Sequence, residues 1–333
     1  MLATVMDTND AWVRERTGVE TRYFVEKGTS TLELSVPAAE QAMATAGVSA
    51  ADIDMVVYAT MTPAHYFPGN GSLLQHRLGL RTVPCFDVRQ QCSGFLYALQ
   101  LADMQIRAGA AKTVLVVGSE VHSIFFPLGE ASWARLEGAV DTPIPQEEWD
   151  LVTKNRHLAV LFGDGAAAVV VQAREEGDRG IIDHILCADG QHYDKLCVPG
   201  VGSAHRPYVD HAMIDRSEHL PSMDGRFVFK MATTRMAEVS QGILQRNGVH
   251  PSQLAMVLMH QANLRINEYV QKLLGLPDSK VIHNIMKYGN TTAATIPLLW
   301  DEAVRAGRIT PGDLVMCVGF GAGMTWGANL IRA

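Results

Sequence analysis

The sequence predicts an α/β protein built as two similar layered halves, and three observations carry that expectation. The first is an internal repeat: "AMATAGVSAADIDMVVYAT", residues 42–60, matches "ILQRNGVHPSQLAMVLMHQ", residues 243–261, as a helix, a glycine turn, a polar connector and a buried strand. An offset of about 200 residues also carries "HRLGL" onto "KLLGL" and "IRAGAAKTVLVVG" onto "VRAGRITPGDLVMCVG", so that the strand ending at Gly118 falls on the one ending at Gly319. The second observation is alternation. Apolar runs of strand length ("MVVYAT", "TVLVVG", "AAAVVVQA", "DLVMCVGF") are separated by segments of helical period, which implies parallel sheets covered by helices. The third is bulk composition: 333 residues, 47% hydrophobic and 19% charged, suit a soluble globular chain with a sizeable core.

Taken in order, the N-terminal half runs to residue 172 and holds the strand at "MVVYAT", a β-like run before Cys92, an apolar helix beginning at Gly94, and the strands "TVLVVG" and "AAAVVVQA". Residues 122 to 154 interrupt it with an insertion bearing Phe125, Phe126, Trp133 and Trp149 among acidic residues. The polar stretch "QAREEGDRG", residues 172 to 180, reads as the hinge. The C-terminal half, 173 to 333, holds "GIIDHILCAD", the helix before "NGVH", the strand "MVLM", a helix after "GNTT", and the strand "DLVMCVGF" with its glycine-rich sequel.

Composition narrows the function classes. A net charge of −7 with no cluster of Lys and Arg argues against a nucleic-acid partner. No run of about 18 apolar residues suits a membrane span, and "MLATVMDTNDAW" lacks the pattern of a signal peptide, so a cytoplasmic location is expected. Five cysteines without CxxC spacing suggest neither a disulfide framework nor a metal site.

The chemistry is expected at Cys92, at the junction of a strand and an apolar helix, where the helix dipole and unpaired N–H groups favour a thiolate. The repeat places Asn290 at the position matching Cys92, and His260 at the end of the strand matching the one near Ala59. A pseudo-twofold axis would bring the two helix N-termini face to face beyond the carboxyl ends of the strands, and all three residues into one cleft. Singly, each has an ordinary structural explanation: a buried core thiol, a structural histidine, an asparagine N-cap. Together they suit two chemistries, a Cys-His-Asn hydrolase or a thiolate that accepts an acyl group while His and Asn hold an enolate. The loop "GFGAGMTWGANLI", residues 319–331, has glycines that let backbone N–H groups approach an oxyanion; it lacks nucleotide-loop spacing, and a plain hairpin turn fits it equally.

The motifs "QQCSGFLYAL", "LFGDGAAAVV", "HQANLRI", "YGNTTAATIP" and "GFGAGMTWGA" resemble, in order and spacing, those of the β-ketoacyl-(acyl carrier protein) synthase III family of thiolase-fold condensing enzymes. The resemblance runs from about Asp7 onward and implies a thiolase-like αβαβα fold. It implies Cys92 as the acylated nucleophile, His260 and Asn290 as the pair promoting decarboxylation of a malonyl thioester, and an oxyanion hole from the N–H groups of Cys92 and Ala322. It further implies a coenzyme A tunnel lined by Trp12, Arg16, Arg156, Asn263 and Arg265, with an indole to stack on adenine and guanidinium groups to meet phosphates. Phe67 matches a residue that reaches into the partner subunit's acyl pocket, which implies a homodimer, and Arg265 with Lys272 stand as candidates for docking acyl carrier protein. The implied reaction takes acyl-CoA and a malonyl thioester as substrates and uses no metal or redox cofactor.

Two departures from the family pattern stand out. Relatives carry about twenty residues before Asp7, including a first strand expected to be central in the N-terminal sheet, which suggests a shortened chain or a misplaced start. The insertion is expected to cap the acyl pocket or the dimer seam and to alter acyl choice. It keeps open a second enzyme reading, a specialised acyltransferase or a head-to-head acyl condensing enzyme, and beside both stands a non-catalytic acyl-thioester binding protein.

Overall fold

A computed structural model describes residues 1–174 and 177–333. Part of the expected hinge, Glu175 and Glu176, lies outside the described residues. The N-terminal half comprises α1 (Asp10–Thr17), α2 (Thr31–Ala46), β1 (Met55–Ala59), α3 (Asn70–Arg77), β2 (Cys85–Val88), α4 (Gly94–Arg107), β3 (Thr113–Glu120), α5 (Glu130–Leu136), α6 (Gln146–Lys154), α7 (Arg156–Leu161) and β4 (Gly165–Gln172). The C-terminal half follows with β5 (Gly180–Ala188), β6 (Leu196–Cys197), α8 (His211–Asp215), β7 (Ser222–Met223), α9 (Gly225–Arg246), β8 (Met256–Met259), α10 (Leu264–Leu273), α11 (Ile285–Tyr288), α12 (Thr295–Arg305), β9 (Leu314–Gly321) and β10 (Thr325–Arg332).

Two four-stranded sheets have the orders β2-β1-β3-β4 and β5-β10-β9-β8. Strand alternation assigns their side chains to three apolar layers. Met55, Val57 and Ala59 of β1 face inward onto Phe95, Leu96 and Leu99 of α4 and Ile296 and Leu299 of α12, which lie between the sheets. Val56 and Tyr58 face outward onto Leu32 and Ala39 of α2, while the outer face of the second sheet packs on Met236 and Ile243 of α9 and Ile266 and Val270 of α10. The layers therefore run helix, sheet, helix, sheet, helix, the expected αβαβα arrangement.

The sheets are mixed rather than parallel. β9 and β10 are joined by only residues 322–324, a connection that antiparallel strands allow and parallel strands do not, and β4 is likewise antiparallel to β3. The expectation of a central first strand also needs correction. Its C-terminal counterpart, β5, pairs only with β10 and forms the edge of its sheet, so the matching position in the first half is an edge as well. The register of the repeat shifts too. Gln91 and Thr292 open equivalent turns with φ of 45° and 50°, directly before α4 and α12, which puts Cys92 opposite Ala293 and not Asn290. Gly118 of β3 and Gly319 of β9 are separated by the same offset as Cys92 and Ala293.

The insertion builds a fourth apolar cluster. Phe126, Leu128 and Val152 pack with Val5, Met6, Val13 and Val19, and Phe24 meets Phe126 and Trp133 edge to face at 5.1 and 6.0 Å. Glu148 accepts from the N–H groups of Gly129 and Ser132, tying α6 to the start of α5. Most of the insertion thus covers the segment before residue 25, whose apolar side chains offer it the larger contact.

Candidate active site

Cys92 sits in a single 3-10 turn between β2 and α4, and α4 and α12 meet end to end: a Cβ on Gly94 would lie 3.7 Å from that of Ala293. The end of β9 passes beside this junction only because it lacks side chains there. A Cβ on Gly321 would come within 3.0 Å of the Cys92 amide nitrogen, and one on Gly319 within 3.2 Å of the His260 Cβ. The glycine-rich stretch is therefore both a hairpin and the contact that holds Cys92 and His260 on one strand end.

A cavity of about 380 Å³ opens onto the thiol. Its wall is mostly apolar, with Phe125, Phe126, Leu158, Phe162, Leu196 and Val198, and its polar lining includes His122, Thr292 and Arg89 beside Cys92 and Ala322. Burial, reinforced by the nearby Glu120 carboxyl, pushes the Cys92 thiol up to about 12. The helix-terminus effect expected from sequence is outweighed by loss of water, so the resting residue is a thiol.

His260 directly follows β8 and is 1% exposed. Its Nδ1 lies 2.7 Å from Thr295 Oγ1, which also donates to the Thr292 carbonyl at 3.0 Å, while Nε2 is buried without a partner. Burial lowers its pKa to about 3, so the ring is neutral at physiological pH. Gln261 locks the turn after it, accepting from Asn284 and Ile285 N–H and donating to the Met259 carbonyl. Asn290 is buried; its Oδ1 accepts from Thr292 N–H at 2.9 Å, and its backbone pairs with Leu161 and Gly163. Thr292 lines the cavity with Cys92 and donates its N–H to Asn290 Oδ1, and Gly319 passes against the His260 Cβ.

Trp12, Arg16, Arg156, Asn263 and Arg265 form a second cluster that does not line this cavity. The Trp12 indole has the Arg16 and Arg156 guanidiniums over it, at 5.3 and 4.6 Å, and Arg156 is held by the Asp7 carbonyl and carboxylate. Asn263 caps α10 and donates to the Arg16 carbonyl, and Arg265 pairs with Glu15 at 3.7 Å. The cluster joins the cavity through α7, which begins at Arg156 and contributes Leu158 to the wall. Phe67 does not line this cavity; it is 81% exposed on a loop anchored where Asp87 accepts from Gly71 N–H.

Sequence reasoning missed four polar groups. Glu120, buried at the end of β3, accepts from Met61 and Thr62 N–H and from the Thr60 and Thr62 hydroxyls, yet burial raises it to about 7. His122, Thr292 and Thr295 complete the set. A charge directly after the apolar run in "TVLVVGSEVHS" was the available signal for the first two.

Comparison with known proteins decides the family. A family model described as 3-oxoacyl-[acyl-carrier-protein] synthase III matches residues 86–132 and 149–190, and its C-terminal companion matches 244–333. A β-ketoacyl-[acyl-carrier-protein] synthase III of Rhodospirillum rubrum is 41% identical over 336 residues, covering 99% of this chain and 93% of the relative. The chain belongs to the 3-oxoacyl-(acyl carrier protein) synthase III family. Solved synthase III structures agree: that of Aquifex aeolicus superposes with a TM-score of 0.83 at 35% identity, covering 100% of this chain and 94% of that one, and that of Thermus thermophilus with 0.84 at 33%, covering 99% and 93%. The family match leaves out residues 133–148, which form the body of the insertion.

Proposed function

We propose that this synthase III chain acylates Cys92 from an acyl-CoA and condenses the acyl group with a malonyl thioester carried by acyl carrier protein, releasing CO2 and a β-ketoacyl thioester. The observation that carries the reading is the unpartnered, buried Nε2 of neutral His260, held with Cys92 against the glycine-lined end of β9, where a mostly apolar cavity opens onto the thiol. With the Thr295 hydroxyl donating to the Thr292 carbonyl and accepting from Nδ1–H, Nε2 is free to take the Cys92 proton. The thiolate attacks the acyl carbonyl, the bond to the CoA sulfur breaks, and CoA leaves as the thiol with that proton. For the second half-reaction the imidazole changes tautomer: Nδ1 gives up its proton, Nε2 takes one from water, and the Thr295 hydroxyl turns to donate to Nδ1. Nε2–H and the Asn290 amide then donate to the malonyl thioester carbonyl as CO2 departs, the enolate attacks the acyl-cysteine carbonyl, and its bond to the Cys92 sulfur breaks. Cys92 and Ala322 N–H groups receive the oxyanion of each tetrahedral step. The released Cys92 thiolate regains its proton from water, so each turnover consumes one acyl-CoA, one malonyl thioester and one proton.

In this reading Trp12, Arg16, Arg156, Asn263 and Arg265 hold coenzyme A. Arg156 must swing off the indole face for adenine to stack there. The chain works as a homodimer in the cytoplasm: β2 is an edge strand with Phe86 exposed, and Phe67, Tyr66 and Tyr208 form an exposed aromatic group suited to a partner's surface. No helix among the described residues is long and apolar enough to cross a membrane. The test is a product assay with acetyl-CoA and malonyl-loaded acyl carrier protein. Equal amounts of CO2 and β-ketoacyl thioester are expected, and an acyl-enzyme that only hydrolyses would point to the hydrolase instead.

A further inference from the structure

A histidine is a costly way to fill an apolar wall, because a buried imidazole must find partners for its nitrogens. His122 is 3% exposed, lines the cavity beside Cys92, and stacks on Phe162 with ring centres 4.5 Å apart. Its Nε2 hydrogen-bonds Thr292 Oγ1. Thr292 is itself fixed: Asn290 Oδ1 accepts from its N–H, and its φ of 50° holds it in a left-handed conformation unusual for a β-branched residue. Thr292 lines the same cavity wall as Cys92, and its side chain favours the ionised form of the thiol.

We propose that His122 is a positioning residue that acts through Thr292 on Cys92: Nε2–H donates to Thr292 Oγ1, turning the threonine hydrogen toward the Cys92 sulfur and favouring its thiolate. The inference rests on the reading of Cys92 as the acylated nucleophile. Burial keeps His122 neutral, with a pKa lowered to about 3, so this donor is constant across the working pH range. The other charged or titratable groups around the sulfur are Glu120 at the end of β3, His260 directly after β8, and Arg89 on the cavity wall; His260, neutral through burial, adds to the lowering at His122 and reaches the Thr292 carbonyl through Thr295.

The experiment measures alkylation of Cys92 by iodoacetamide between pH 6 and 9, mapped at the peptide level with Cys92→Ala as blank, alongside self-acylation by acetyl-CoA and a thermal melt of each variant. His122→Leu and the isosteric Thr292→Val are each expected to slow alkylation about tenfold at pH 8 and to displace its rise to higher pH. The double variant should be no slower than either single one, and Thr292→Ser and His122→Gln, which keep a donor, should stay near wild type. Folded single variants with the wild-type profile, or a double variant whose losses multiply, would overturn the relay. If His122→Leu fails to fold, Thr292→Val decides alone. A wild-type enzyme that is not acylated by acetyl-CoA defeats the condensing reading instead, whatever the alkylation profile.

Discussion

At the residue scale the site is a set of neutral groups made reactive by position. In the proposed reaction His260 serves both half-reactions whereas Asn290 serves only the second, as a donor to the malonyl carbonyl, so loss of Asn290 should separate the two steps. His260→Ala and Asn290→Ala are expected to cut condensation about 10²- to 10³-fold. Asn290→Ala should leave acyl-enzyme formation nearly intact, as measured by the mass of the acylated protein; equal loss of both steps would show that Asn290 serves the first one. Glu120 gives a pH prediction with a definite sign. Its folded pKa, about 7, lies above the ordinary 4.5, so its contribution is full below 4.5 and is lost as pH rises through 7. His122 and His260, lowered to about 3, contribute in the opposite sense: their share is full above 6.5 and is lost as pH falls toward 3. Glu120→Gln should therefore remove a loss of about 3 kcal/mol between pH 5 and 8, and its melting curve should gain on wild type as pH rises; parallel curves over that range would contradict the assignment. Cys92 and His260 could be singled out because strand ends and helix starts can be read locally, whereas Asn290 was reached through a register that the structure moves. Glu120 and His122 left only a charge after an apolar run as a signal and Thr292 left none, because only the packing of β3 against the start of α12 gives them partners.

At the element scale, the strands were legible from period and length, whereas their direction was not. Apolar runs look alike in parallel and antiparallel sheets, and the hairpin at 322–324 had to be seen to reverse β10. The insertion was legible as an extra element, and its aromatic residues as a sign of order. Its partner was not: Phe125 and Phe126 reach the cavity while α5 and α6 cover the segment before residue 25. Two outcomes follow from that division. Phe125→Ala should widen the cavity and raise kcat/KM for medium-chain acyl-CoA relative to acetyl-CoA. Replacing residues 130–148 by a short linker should lower the melting temperature and leave chain-length preference unchanged. A preference that moves with the linker variant and not with Phe125→Ala would return the specificity role to the helices.

At the scale of the whole molecule, the duplication explains both the five layers and the location of the chemistry. Two equivalent helix starts, α4 and α12, meet where both sheets end, and the copies diverged there into a nucleophile on one side and polar support on the other. The repeat was visible in the sequence, but its register at the site was three residues off, because loops before the helices differ in length. A single protomer leaves the β2 edge and Phe67 exposed. Phe86→Lys, placed on that edge, should yield a monomer by light scattering with much reduced turnover; a fully active monomer would refute the dimeric site.

The most direct test of the account is intact-protein mass measurement after incubation with acyl-CoAs from acetyl to dodecanoyl, followed by malonyl-loaded acyl carrier protein. The account predicts a mass gain equal to one acyl group, absent in Cys92→Ala, and its discharge by the malonyl thioester with appearance of a β-ketoacyl product. An adduct that forms on Cys92 and persists in the presence of the malonyl thioester, or one that survives in Cys92→Ala, would contradict it.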